Sequence, residues 1–320
     1  MTPDAIRGEI IRLADAGLDR HGFARAAMRV LRRAVPFDGA AVVWFDPATA
    51  LPVDTWIDEA PSHLTEADVN QFRELAASGR RADSISDGGK RELRAVCVSE
   101  AGMWGAIALH RERGASHFTV RDENLLASLS GGFTDVQRVR LERDLPADPG
   151  DRDPGLLLLG EDGIELANDA AAEWLDELGH AAPRLPLVVT AVAQRARAVA
   201  SGRTDVAATA RVRARSGRWL LVRGSVLCNG TRDRTAVTLQ PARAPELAEL
   251  VADAHRLSER ERRVTELVAQ GLPTAAIADR LFLSTYTVQD HLKAIFEKLG
   301  VSSRGELVAR LFLDHVQVGA

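Results

Sequence analysis

The sequence predicts a multidomain α+β protein: two mixed α/β modules in series, followed by an all-α domain of four helices. Three observations carry this. Short apolar runs of period two alternate with amphipathic helical stretches as far as residue 241. A segment of Pro, Gly, Asp and little to bury, PADPGDRDPG, divides that part in two. From Leu257 onward the periodicity is helical only, punctuated by start and stop residues.

Composition sets the outer bounds. The 320 residues suit two or three domains, each with its own core. A net charge of -4 gives no electrostatic footprint for nucleic acid, so any such claim must rest on motif. Cys97 and Cys228 are too few and too scattered for a disulfide framework or a zinc site. No apolar run reaches the roughly 18 residues that a membrane span needs, and the N-terminus lacks a basic-then-apolar signal. A cytoplasmic protein without membrane contact is expected.

Residues 4–35 read as two helices. Ile6, Ile10 and Leu13 share a face of the first; Phe23, Ala27, Val30, Leu31 and Ala34 share a face of the second. Pro36 and Asp38-Gly39 end the pattern. Residues 40–45, rich in Val and aromatics, read as a buried strand, with a turn at 46–52 and a second strand at 53–57. Thr65 caps a helix running to Ser78. Residues 79–91, rich in Gly, Ser and charge, read as a mobile loop. A hairpin of 93–99 and 103–110 turns at Glu100, Ala101 and Gly102. Thr119 caps a long helix to about Arg143, with Leu125, Leu126, Leu129, Phe133 and Val136 inward.

With Trp104-Gly105-Ala106 in the hairpin and Phe118-Thr119 ahead of the closing helix, residues 1–145 resemble a GAF domain. The resemblance implies a small-molecule pocket between sheet and helices. Trp44, Trp56 and Trp104 are the candidates to line it, set against their plainer reading as core aromatics. Cys97 reads as a small buried thiol, because nothing nearby in sequence marks it as activated.

Residues 146–155 form the linker. Asp148, Asp151 and Asp153 within it lack the spacing and terminal Glu of a calcium loop. Residues 156–159 then read as a strand, Glu161-Asp162-Gly163 as a tight turn, and 164–167 as its partner. Asn168 caps a helix with Ala171, Trp174, Leu175 and Leu178 inward. A helix over 187–200 and strands at 206–215, 219–227 and 235–239 complete the module. Residues 156–241 resemble a PAS domain through the opening strand, Asp-Gly turn, strand and Asn-capped helix. Ligand binding and protein contact, dimerisation included, both stay open for it. Residues 246–255, within 242–256, read as a connecting helix.

The C-terminal domain, 257–320, is the most legible part. Ser258 with Glu261 makes a capping box, and Leu257 stands where a hydrophobic staple would. Gly271 suits a left-handed helix end, and Pro273-Thr274 start a short helix ending near Leu281. After Phe282-Leu283, Ser284 or Thr285 caps a third helix. Val288, Leu292, Ile295, Phe296 and Leu299 form its buried stripe, and Gly300 stops it. Ser303 and Glu306 make a second capping box before Leu307, Val308, Leu311 and Phe312.

A short helix, a three-residue turn and a longer helix fit a helix-turn-helix, whose second helix enters the major groove. The stripe leaves Tyr286, Gln289, Asp290, Lys293 and Glu297 outward. Gln can pair with adenine, Lys can donate to guanine, and Asp can accept from cytosine. Thr285, Thr287 and the free amides of the helix start suit phosphate oxygens. A compact bundle with a solvated polar face is the competing reading.

The run through Leu257, Ser258, Arg260, Glu261, Val264, Leu267, Gly271, Ile277, Ala278, Leu281, Ser284, Thr287, Val288, His291, Ile295, Lys298, Leu299, Gly300, Val301, Arg304, Glu306 and Leu307 resembles the DNA-binding domain of LuxR-family regulators. The resemblance places Gln289, Asp290 and Lys293 at bases and Lys298 near the backbone, and it implies that the last helix supports dimerisation. Ala275 and Ala276 stand where the family often carries a polar or charged pair, which puts phosphate contacts from the second helix in doubt. Residues 246–320 hold nine Lys and Arg against eleven Asp and Glu, a net of minus two, so a monomer should bind weakly. Locally, Arg280, Lys293, Lys298 and Arg304 outnumber Asp290 and Glu297.

The expectation is a transcription regulator whose front modules control a dimeric helix-turn-helix. Its partners would be double-stranded DNA, a second copy, a small-molecule effector and RNA polymerase. The alternative is a signalling scaffold whose helical domain binds protein, such as a polymerase subunit. No Gly-rich phosphate loop, His-Glu metal helix, nucleophile elbow or cofactor signature is found, so an enzyme is not expected. The early acidic pair and later Lys of a phosphorylated receiver are missing too.

Overall fold

The computed structural model describes residues 3–308, apart from 15, 60–63, 88–89, 101, 113, 144–152, 161–162, 180–183, 229–232, 243–245, 247–249, 251 and 253–254. The expected turn at Glu161-Asp162, most of the linker, most of the connecting helix, and Leu311 and Phe312 lie outside the described residues.

Two antiparallel five-stranded sheets precede a helical domain. The first has the order β2-β1-β5-β4-β3, from β1 (Gly39–Asp46), β2 (Leu51–Asp58), β3 (Ala82–Asp87), β4 (Lys90–Ser99) and β5 (Gly102–Arg111). Its helices are α1 (Pro3–Ala14), α2 (Arg20–Arg32), α3 (Glu66–Ala77) and α4 (Val120–Arg143). Strand β1 is buried along its whole length because both faces are covered. Ala40, Val42 and Trp44 point to the side of α1, α2 and α4, while Ala41, Val43 and Phe45 point to the side of α3. The α3 side is closed by Phe72, Leu75, Met103 and a buried polar group in which Arg94 binds Glu92 and Gln71.

The stretch 79–91 is corrected: most of it is the edge strand β3 and the start of β4. An edge strand pairs on one side only and tolerates the polar residues that made it resemble a loop.

The second sheet has the order β7-β6-β10-β9-β8, from β6 (Gly155–Leu159), β7 (Ile164–Ala167), β8 (Thr209–Arg213), β9 (Trp219–Cys228) and β10 (Asp233–Pro241). Its helices are α5 (Asp169–Glu177) and α6 (Leu187–Ala200). Strand β8 is shorter than the expected 206–215. Asn168 caps α5 through Ala171 N–H, and the same Oδ1 accepts Leu156 N–H at 2.8 Å. Its Nδ2 donates to Pro154 O at 3.0 Å, and Trp174 Nε1 donates to Asp153 O at 3.1 Å. Helix α6 lies on β9 and β10 and also on β2 of the first sheet. Gly224 permits that approach, since a Cβ there would sit 2.9 Å from Val192 Cγ1.

The last domain comprises α7 (Glu259–Ala269), α8 (Thr274–Leu281), α9 (Thr285–Leu299) and α10 (Arg304–Val308). Ser258 and Glu261 form the reciprocal capping box, and Leu257 is buried. Ser284 caps α9 through Thr287 N–H at 3.0 Å, and Gly300 ends it in the left-handed region. Val288, Leu292, Ile295 and Leu299 are buried and Phe296 is partly buried, so the helix phase is as the spacing predicts. The second box differs from expectation: Ser303 Oγ accepts Glu306 N–H, but the Glu306 carboxylate takes Ser302 N–H and Oγ instead.

Candidate functional site

The buried stripe of α9 fixes which side of the helix faces out. Thr285, Tyr286, Gln289, Asp290, Lys293 and Glu297 are exposed, and His291 is half-buried beside them. Thr287 is half-buried, with its hydroxyl 2.8 Å from Ser284 Oγ. The helix therefore presents one outward row of side chains able to read base edges, backed by an apolar stripe that cannot rotate outward without exposing Val288 and Ile295.

The cations divide differently from the sequence expectation. Lys298 Nζ donates to both carboxylate oxygens of Glu261, at 2.8 and 2.6 Å, and to Arg256 O at 3.2 Å. It ties the end of α9 to the start of α7. Burial raises the Glu261 carboxyl pKa, but Lys298 and the Ser258 hydrogen bonds outweigh that and hold it below the ordinary value. Arg304 turns inward and donates to the carbonyls of Leu272 and Val268. Of the four local cations, Arg280 and Lys293 are left exposed without such an engagement, and Asp290 and Glu297 are exposed as well.

Nothing in the sequence spacing marks Phe282 beyond a tight connection. It caps α8 at φ 54°, ψ 46°, a conformation uncommon for a bulky side chain, and its ring is 95% exposed. With Tyr286, 70% exposed, it places two solvent-facing aromatics beside the start of α9.

A second feature lies between the two sheets: a cavity of about 1040 Å³. Trp44 and Trp104 line it, as does Trp219, which sequence reasoning did not single out; Trp56 is not among its lining residues. The His21 ring stacks on Trp44, with centroids 5.8 Å apart and planes at 19°. His21 Nε2 lies 3.2 Å from Asp54 Oδ1, and that contact raises the imidazole pKa above its ordinary value. At the seam, Arg211 donates from Nη2 to Asp46 Oδ1 (2.7 Å), from Nε to Oδ2 (2.9 Å) and from its backbone N to Oδ2 (2.7 Å). No spacing could have flagged this pair, which is 165 residues apart; an Arg between Ala210 and Val212 in a strand was the one available sign.

Cys97 is buried, which pushes its thiol up to about 12, so thiolate chemistry is suppressed there. Among the described residues no group of His, Cys, Asp and Glu is arranged to hold a metal, and no helix is long and apolar enough to cross a membrane.

Residues 255–311 match the family model described as bacterial regulatory proteins, luxR family. A putative HTH-type transcriptional regulator in the exeN 3′ region of Aeromonas salmonicida is 40% identical over 91 residues, 28% of this chain and 45% of that protein. The probable transcriptional regulatory protein NarL of Mycobacterium tuberculosis is 38% identical over 95 residues, 29% of this chain and 44% of that protein. The chain thus spans less than half the length of these relatives. Among solved structures, the GAF domain/HD domain protein from Geobacter sulfurreducens aligns with a TM-score of 0.31 at 15% identity, over 39% of this chain and 97% of that one.

Proposed function

We propose that this chain, whose C-terminal segment is a LuxR-family helix-turn-helix domain, is a sequence-specific DNA-binding transcriptional regulator that acts as a homodimer in the cytoplasm. The observation that carries the reading is the outward row Gln289, Asp290 and Lys293 on α9, held in phase by a buried stripe and an Ser284 cap. Gln289, Asp290 and Lys293 contact base edges, and Thr285, Thr287 and the α9 amides approach phosphates. Lys298 approaches the DNA backbone only while holding Glu261. The front modules, GAF-like and PAS-like, sense a small molecule or a partner and bias two states of the dimer, which requires that the effector bind those states with different affinity.

The test is selection of genomic fragments by the purified full-length protein at two salt concentrations. A recovered inverted repeat that is lost on Lys293→Ala supports the reading. Absence of enrichment at both salts would overturn it and point to a protein partner for the helical domain.

A further inference from the structure

The cavity between the sheets is walled by both modules and touches the segment leading to the DNA-binding domain. Its aromatic wall is Trp44 with stacked His21, then Trp104 and Trp219. Its volume, about 1040 Å³, is at the upper end of small-molecule sites. Charge is distributed unevenly along it. At the first-module end the carboxylates are already engaged: Asp54 with His21, Asp46 with Arg211, and Asp19 with Gly22 N–H. At the second-module end, Glu177 accepts from Ser216 Oγ, and Arg213 and Arg215 follow Arg211 at alternate positions along the chain. Among the described residues no acceptor or carboxylate engages the Arg215 guanidinium, which is exposed and lies against Gly179.

We infer that this cavity is a binding site for a planar aromatic anion, its ring lying on the exposed His21 ring that stacks on Trp44 and its carboxylate or phosphate meeting Arg215. Flat rings bind aromatic faces through offset stacking and area burial, and a guanidinium matches an oxyanion through paired donors. The site has a built-in output. Trp104, Trp219, Leu221, Ala242 and Leu250 form one buried cluster, and Arg211 Nη1 also donates to Glu246 O at 3.1 Å. A ligand in the cavity therefore presses on the same residues that seat positions 246 and 250, just ahead of the helix-turn-helix. That coupling rests on the regulator reading above; the binding site does not.

The probe is naphthalene-2-sulfonate, with neutral 2-naphthalenemethanol as its control, titrated calorimetrically into the full-length protein. The expected result is one sulfonate per chain, with the neutral compound at least tenfold weaker. Arg215→Glu should weaken the sulfonate at least tenfold while leaving the neutral compound within twofold, and Arg215→Lys should recover part of the loss. Unchanged thermal melting of these surface variants keeps the comparison clean. No saturable binding, or sulfonate binding indifferent to Arg215→Glu, would overturn the site. A DNA-affinity measurement on the same samples separates the two readings. A sulfonate-dependent change supports the coupling, and bound sulfonate without such a change removes it. Failure to bind any selected DNA would overturn the regulator reading, while the calorimetry still decides the site.

Discussion

Arg211 grips Asp46 with two guanidinium nitrogens and its own backbone N–H, and both side chains are out of solvent, at 7% and 0% exposure. The pair joins the end of β1 to the middle of β8, so the two modules are locked by charge as well as by α6. Truncating one partner of such a pair strands the other without water. Arg211→Met should cost about 3–5 kcal/mol, whereas the double variant with Asp46→Leu should lose much less. Urea denaturation of wild type, single and double variants checks this; a double variant no more stable than Arg211→Met would mean that a stranded Asp46 carries no penalty.

In the helical domain, Lys298 and Glu261 act as a clasp between α9 and α7. Lys298→Ala should lower domain stability by about 1–3 kcal/mol, because Glu261 is left buried without its cation. The pH dependence follows from the depressed Glu261 carboxyl. Its contribution is present above the ordinary carboxylate pKa and is lost as pH falls through the lower folded value. Melting from neutral to acid pH should show the wild type losing stability that Glu261→Gln never had; parallel profiles would contradict the assignment.

Val288 is fully buried in the stripe of α9. Val288→Asp should unfold the C-terminal domain, because it places an unpaired carboxylate in the core. Far-ultraviolet circular dichroism of the full chain would show lost helix; a normal spectrum and melt would mean the phase of α9 is wrong.

With Arg304 turned to internal carbonyls and Lys293 assigned to a base edge, Arg280 and Lys298 are the two exposed cations of this face placed for phosphates. Each phosphate contact contributes about 0.9 to the slope of log K against log salt, so a dimer using these should show a slope of roughly -4. Anisotropy titrations across a salt series measure it. A slope near -10 would require cations from elsewhere in the chain.

His21 gives a spectroscopic handle on the cavity. Its contact with Asp54 raises its pKa, so its proton is held to higher pH than in a free imidazole. The stabilisation it brings is complete below the ordinary histidine pKa and is lost as pH rises through the folded value. An NMR titration should place His21 above 6.5, and Asp54→Asn should lower it; an unshifted midpoint in the variant would remove Asp54 as the cause.

Much of the local structure was legible from sequence because its causes are local. Thr65, Asn168, Ser258 and Ser284 each bond a backbone amide three residues on, and period two sorted β1 onto two faces. The outward row of α9 followed from its buried stripe. What escaped was determined at long range. Asp46 and Arg211 meet only when two modules dock, Trp219 becomes a cavity wall for the same reason, and the polar β3 is a strand only because β4 pairs with it. Nor could spacing show that Lys298 binds Glu261, 37 residues away in the chain.

The anchoring of Asp153 and Pro154 by Trp174 and Asn168 fixes the chain where it enters the second sheet. Covalent continuity between 146 and 152 is then not what keeps the modules in register, because Arg211, Asp46 and α6 do that. A protein nicked in that interval should migrate as a single particle, and fragments 1–148 and 149–320 expressed separately should reassemble by complementation.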